Sequence, residues 1–242
     1  MVLASSTGET RRHFLKLSTA AIGNVMAAPL ASPPARAEAG VDLRAGPARV
    51  SLVGAGYPET DVWAFNDRVP GPAIRAIQGE RLTIDVTNDL AEPTTVHWHG
   101  LRVPVGMDGV PVLSQPPILP GETFRYAFDV LDAGTFWYHP HINSGEQVGR
   151  GLHGALIVEE KQPPAVDREL IWVLDDWRLD PEAAIAPFGN RHDASHGGRI
   201  GNSATVNGTI PDNETVRSGE RLRLRLINAA NARTFGLDFR DL

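Results

Sequence analysis

The chain has 242 residues, with 23 Lys and Arg against 29 Asp and Glu for a net charge of −6, which leaves no basic excess to hold nucleic acid. It contains no cysteine, so disulfides, iron–sulfur clusters, zinc–thiolate sites and cysteine nucleophiles are excluded from it. Its 24 Gly and 19 Pro predict many turns, as in an all-β protein, rather than a helical bundle.

In chain order, Thr10-Arg11-Arg12-His13-Phe14-Leu15-Lys16 carries a twin arginine, Leu17 to Leu30 is mildly apolar, and Ala35-Arg36-Ala37 supplies a small-residue cleavage pattern. Charge, apolar stretch and cleavage site in that order read as a twin-arginine signal over residues 1–37. The apolar stretch is too short, and too rich in Ala, Gly, Ser and Thr, to span a membrane. Signals of this kind export folded cargo, so the expected location is the periplasm. Cleavage removes Arg11, Arg12, Lys16 and Arg36 against one acid, Glu9, and leaves the remainder more acidic.

From Val41 onward, short runs alternate between polar and apolar residues, with no long helical period. Arg81 to Thr87 and Thr123 to Phe128 read as half-buried strands, and the continuous apolar run Ala155 to Val158 as a strand covered on both faces. Val69-Pro70-Gly71-Pro72, Gln115-Pro116-Pro117, Leu119-Pro120-Gly121 and Asp132-Ala133-Gly134 punctuate them. Many short strands with regular turns predict a β-sandwich or barrel.

The pattern then repeats. Gly79-Glu80-Arg81-Leu82 recurs as Gly219-Glu220-Arg221-Leu222, the runs close on Asn88 and Asn228, and Phe65-Asn66-Asp67 is echoed by Val206-Asn207-Gly208. The expected organisation is one complete domain over residues 41–160, a linker over 161–168 after the Pro-rich Glu160-Lys161-Gln162-Pro163-Pro164, and an incomplete second copy over 169–242. A sandwich halted there leaves an uncovered face, so the chain reads as a fragment.

Two His-x-His pairs stand out: His97-Trp98-His99 and His139-Pro140-His141. In a strand, residues i and i+2 share a face with alpha carbons roughly 6.6 Å apart. Two such pairs on neighbouring strands would turn four imidazoles into one space. Imidazole suits zinc, copper, iron and nickel, and spacing alone leaves the metal open.

Thr95-Val96-His97-Trp98-His99-Gly100, Gly106-Met107-Asp108-Gly109-Val110-Pro111, Gly134 to His141, and Gly151-Leu152-His153-Gly154-Ala155-Leu156-Ile157-Val158 resemble, in order and spacing, the first-domain signatures of the multicopper oxidases. The resemblance covers essentially everything after the signal. It implies a cupredoxin-like Greek-key β-sandwich, complete in its first domain and truncated in a second. It further implies half of a trinuclear copper cluster, with His97 on the type 2 copper and His99, His139 and His141 on the paired type 3 coppers. Asp108 matches an acidic residue of the family that delivers protons to bound oxygen, and it equally suits a turn at Met-Asp-Gly. Trp98 and Trp137 are expected to pack around the ligands. His153 is expected to be structural, and His192 and His196 to sit in a solvated Gly-rich loop.

The family's last domain carries four more cluster histidines and the Cys-His-His site of the type 1 copper, and neither is present here. The expected parent enzyme oxidises a phenol, an aromatic amine or a low-valent metal ion and reduces O2 to water. Its partner would be the missing C-terminal cupredoxin domain, on the same chain or another. These residues alone should have no turnover. An alternative from a different class is a non-catalytic copper-binding or cell-envelope scaffold protein. A two-domain copper nitrite reductase is discarded, because its first domain needs a cysteine ligand.

Overall fold

Strand β4 (Arg81–Asn88) buries Leu82, Ile84, Val86 and Asn88 and turns the residues between them outward, as its alternating sequence requires. The computed structural model describes residues 38–195 and 197–239. The signal read at residues 1–37 and the loop residue His196 lie outside the described residues.

One sheet runs in the order β2 (Thr60–Phe65), β1 (Glu38–Val50), β4, β6 (Thr123–Asp129). A second runs β3 (Gly71–Ile77), β8 (Gly154–Glu159), β7 (Gly134–His139), β5 (His97–His99). Within them β1 lies parallel to β4 and β3 parallel to β8. Parallel neighbours cannot be joined by a hairpin, so the chain crosses between the sheets to return. The two sheets face each other in a cupredoxin-like arrangement. Leu43, Leu82, Ile84, Tyr126 and Phe128 from one meet Ile74, Trp98, Tyr138, Leu156 and Val158 from the other. Gly71 and Gly154 make room for the Tyr138 ring: a Cβ on Gly154 would sit 2.3 Å from it. The phenol donates to the Pro72 carbonyl at 2.8 Å, and burial pushes its pKa well up.

A third sheet has the order β10 (Ser203–Val206), β9 (Arg168–Trp177), β11 (Leu222–Asn228), with β9 parallel to β11. It repeats the β2–β1–β4 part of the first sheet, together with several of its side-chain bonds. Asn66 accepts from the Arg44 N–H and donates to the Asp42 carbonyl, while Asn207 accepts from the Val173 N–H and donates to the Ile171 carbonyl. Both asparagines are left-handed, with φ 54 and 52. Asn88 and Asn228 each accept from the N–H two residues on and donate to a carbonyl further along. Glu80 and Glu220 each cap the N–H three residues back.

The two copies bury opposite faces. Asp42 and Arg44 of β1 are exposed, whereas Ile171 and Val173 of β9 pack with Ile227 on Ala155, Ile157 and Trp137. Strand β8 is therefore covered on both sides, as its unbroken apolar run predicts. Charge pairs rim this contact. Arg75 reaches Glu159 at 2.7 Å and Glu169 at 2.9 Å, and the buried Arg225 meets Glu169 at 2.8 Å. Burial alone would raise the Glu169 carboxyl, but the Arg225 and Arg75 guanidinium groups together hold it below the ordinary range.

The segment around His192 is not wholly loop: it forms α2 (Arg191–Ser195), because Asn190 accepts from the His192 N–H and starts a turn. Among the described residues the other helical pieces are α1 (Ser144–Gly149) and a 3-10 turn over Val105–Met107. Among the described residues no helix is long and apolar enough to cross a membrane.

Two outcomes test this packing. Gly154→Ala should lower stability by about 1–3 kcal/mol in denaturant titration, the cost of overfilling a packed core; a neutral result would mean that Tyr138 moves freely. Glu169→Gln should lower the unfolding midpoint at pH 7. A carboxyl whose folded pKa is depressed contributes above its ordinary value and loses that contribution as pH falls through the folded one. The deficit should therefore shrink as pH drops below 4.5, and a gap independent of pH would count against the ion pairs.

Candidate metal centre

The site grows from one short antiparallel pairing. Strand β5 lies at the edge of the second sheet and pairs with β7 in the register His97↔His139, Trp98↔Tyr138, His99↔Trp137. Alternation then sorts the side chains. Trp98 and Tyr138 turn into the core, both fully buried. His97, His99, Trp137 and His139 turn to the other face. One nitrogen from each of His97, His99 and His139 lies within 4.8 Å of the others.

His141 comes in differently. Strand β7 ends at His139, since Pro140 has no N–H to continue the ladder. The second pair is thus not wholly in a strand, contrary to the expectation of a run through His141. Beyond the proline, His141 swings its ring to 4.8 Å from that of His97 and 5.7 Å from that of His139, centroid to centroid.

Backbone carbonyls orient two of the rings. His97 Nδ1 lies 2.8 Å from the Asp108 carbonyl, and His139 Nδ1 lies 2.8 Å from the Pro140 carbonyl. A carbonyl only accepts, so both Nδ1 atoms carry the proton and the basic lone pair of each ring sits on Nε2. His99 turns its Nδ1 toward His139 Nε2 at 3.3 Å. Burial pushes the His139 imidazole down to about 4, against the Pro140 bond and with help from the neighbouring imidazoles. Burial and then His97 hold His99 and His141 below their ordinary value. These rings are neutral at pH 7, as metal ligands must be.

Asp108 follows the 3-10 turn, with its Oδ1 3.3 Å from His97 Nδ1 and its side chain 37% exposed. The turn is pressed against the strand: a Cβ at Gly109, φ +75, would meet the Val96 carbonyl at 1.9 Å. Only glycine lets the backbone approach that closely.

The aromatic shell is half of what the sequence suggests. Trp137 stacks on His139 at 4.1 Å and leans on His99 at 5.1 Å. Trp98 does not touch the imidazole face; it packs on Tyr126, Phe128 and Tyr138, because it alternates with the histidines. His153 lies outside this group, buried, with Nε2 3.0 Å from Asp175 Oδ2 of β9. His192 is exposed on α2.

His99, Trp137 and His139 open onto a cleft of about 570 Å³, walled across from them by Phe188, Asn190 and Arg199. Those wall residues belong to a distant loop and bear no motif, so nothing in the residue pattern points to them. The orienting carbonyl of Pro140 lies inside a motif read only for its two histidines; the proline between them, which cannot continue a ladder, was the signal missed. The donors that converge are imidazole nitrogens without thiolate or carboxylate in the group, a set that fits copper.

Residues 48–163 match a family model described as multicopper oxidase. The chain is 41% identical over 138 residues to copper resistance protein A of Escherichia coli, covering 56% of this chain and 22% of that protein. It is 35% identical over 213 residues to multicopper oxidase MmcO of Mycobacterium tuberculosis, covering 76% of this chain and 41% of that one. The crystal structure of a multi-copper oxidase from Pseudomonas thermotolerans superposes with a TM-score of 0.79 at 42% identity, over 83% of this chain and 48% of that chain. The chain spans less than half the length of each of these relatives. With that likeness resting on the segments that build the imidazole group, the chain belongs to the multicopper oxidase family.

Proposed function

We propose that this chain is the N-terminal part of an exported copper-dependent oxidase and supplies half the ligands of a trinuclear copper cluster. In this reading His97 holds the type 2 copper, and His99, His139 and His141 hold the paired type 3 coppers. The observation that carries it is the convergence of imidazoles from both His-x-His pairs on one face, two of them with Nδ1 bonded to a carbonyl and the basic lone pair on Nε2. Copper bound there supplies one-electron chemistry, coupling oxidation of a phenol, an aromatic amine or a low-valent metal ion to reduction of O2 to water.

Asp108 is proposed to hold and pass protons. It touches His97 on one side and solvent on the other, which a proton donor to a buried reaction needs. Trp137 keeps the His139 ring in its plane and shields it from water.

Two features support the reading of a part that needs more polypeptide. The chain has no cysteine, so it cannot form a thiolate type 1 copper site. In the first copy, Leu43, Leu82, Ile84 and Val86 are fully buried beneath the second sheet. Register and repeat make Trp172, Leu222, Leu224 and Leu226 their counterparts, and those are only partly covered, Leu226 being 44% exposed. We therefore read residues 41–160 as one cupredoxin domain, 161–168 as a linker and 169–242 as a second domain short of its facing sheet. The remaining domain, on this chain or a partner, would complete cluster and sandwich. The twin arginine within residues 1–37 supports export to the periplasm.

The test is to load the chain with Cu(II) and measure bound copper with visible and EPR spectra. Copper retained by the wild type and lost in His97→Ala and His139→Ala, without a strong blue band and without oxidase turnover, is the expected outcome. Absence of copper above background would sink the half-site and leave the non-catalytic scaffold. Steady oxidase turnover by this chain alone would refute the need for a further domain. In the oxidase completed by its remaining domain, Asp108→Asn should keep the copper and slow turnover on the order of a hundredfold; unchanged turnover would reduce Asp108 to a turn residue.

A further inference from the structure

The register of the β5–β7 pairing breaks off at His97↔His139, yet its geometry continues. Two residues further, the same register sets Thr95 opposite His141 and Val96 opposite Pro140. Pro140 has no N–H to offer, and the Val96 N–H is taken instead by the Tyr126 hydroxyl at 3.0 Å. At the next position the bond across the strands returns in another form: the His141 N–H donates to Thr95 Oγ1 at 3.2 Å. Thr95 is fully buried, so this hydroxyl has no water to exchange with, and an unmet N–H there would carry a desolvation cost.

We propose that Thr95 is the positioning residue for His141: its hydroxyl stands in for the ladder bond that Pro140 abolishes and fixes where the fourth imidazole enters the group. Thr95 lies two residues before His97 and so shares its face. One side chain thereby ties the register of the first pair to the backbone of the second. The segment it sits on is held from both sides. Thr94 pairs with Ile118 through both backbone groups, at 3.0 and 2.9 Å. The Thr94 hydroxyl donates to Gln147 Oε1 at 2.7 Å, and Gln147 Nε2 donates in turn to Glu92 Oε1 at 2.7 Å and the Pro93 carbonyl at 2.9 Å. Gln147 is fully buried on α1, which begins three residues after His141. The turn bearing His141 is thus clamped at Thr95 before it and at Gln147 after it, while the exposed His141 ring is left to meet the metal.

The role of Thr95 toward copper rests on the proposed cluster; the hydrogen bond to His141 does not. The experiment compares wild type, Thr95→Ser and Thr95→Val by amide hydrogen exchange at His141 and by Cu(II) titration with EPR. In wild type and Thr95→Ser, which keeps the hydroxyl, the His141 amide should be protected, with the same copper affinity and the same hyperfine pattern. Thr95→Val should lose that protection, weaken copper by about tenfold or more and change the EPR pattern. An unprotected His141 amide in wild type overturns the proposal whether or not Thr95→Val folds. Equal affinity and spectra in folded Thr95→Val and wild type overturn it while leaving the copper reading intact. A protected amide in a wild type that takes up no copper overturns both the copper reading and the role of Thr95 toward it.

Discussion

Everything at the site depends on three cross-strand partners between β5 and β7. Because side chains alternate along a strand, the pairing does two jobs at once. It drives Trp98 and Tyr138 into the sandwich core, where they are fully buried, and that burial stabilises a three-residue edge strand that backbone bonds alone would hold weakly. The same alternation leaves His97, His99, Trp137 and His139 on the opposite face. A slip of one residue would bury the imidazoles and expose the tryptophan, so the apolar core sets the register on which the imidazole group relies.

The core and the imidazole face are coupled through small residues as much as through large ones. Gly154 and Gly71 admit Tyr138 beside His139, and Gly109 lets the Asp108 turn lie against the strand at Val96. The Asp108 carbonyl then reaches His97 Nδ1. Local backbone shape thus determines which ring nitrogen faces the open side, and burial keeps the His139 ring uncharged.

The bonding pattern of the first sheet recurs in the third in a different environment. The paired asparagines, the capping glutamates and the parallel strand pair recur in both copies. In the first copy the face bearing Asp42 and Arg44 meets solvent, whereas its counterpart in the second bears Ile171 and Val173 and packs on β8. Recurring hydrogen bonds are compatible with opposite burial because they lie within the sheet and side-chain polarity chooses the face.

Much of this was legible in the residues. Alternation in Arg81 to Thr87 identified a half-buried strand, the unbroken Ala155 to Val158 run identified one covered twice, and the two His-x-His pairs marked the face on which imidazoles gather. These are local properties, set by the period of a strand and the polarity of its side chains. Tertiary structure decided the rest: that Trp98 faces the core while Trp137 stacks on His139, that His153 meets Asp175 from another sheet, and that Thr95 holds His141 across a broken ladder. Apart from the Trp137–His139 stack, which lies within β7, each of these contacts joins segments distant in the chain, and which segments become neighbours follows from how the sheets pack, which no single stretch of sequence contains.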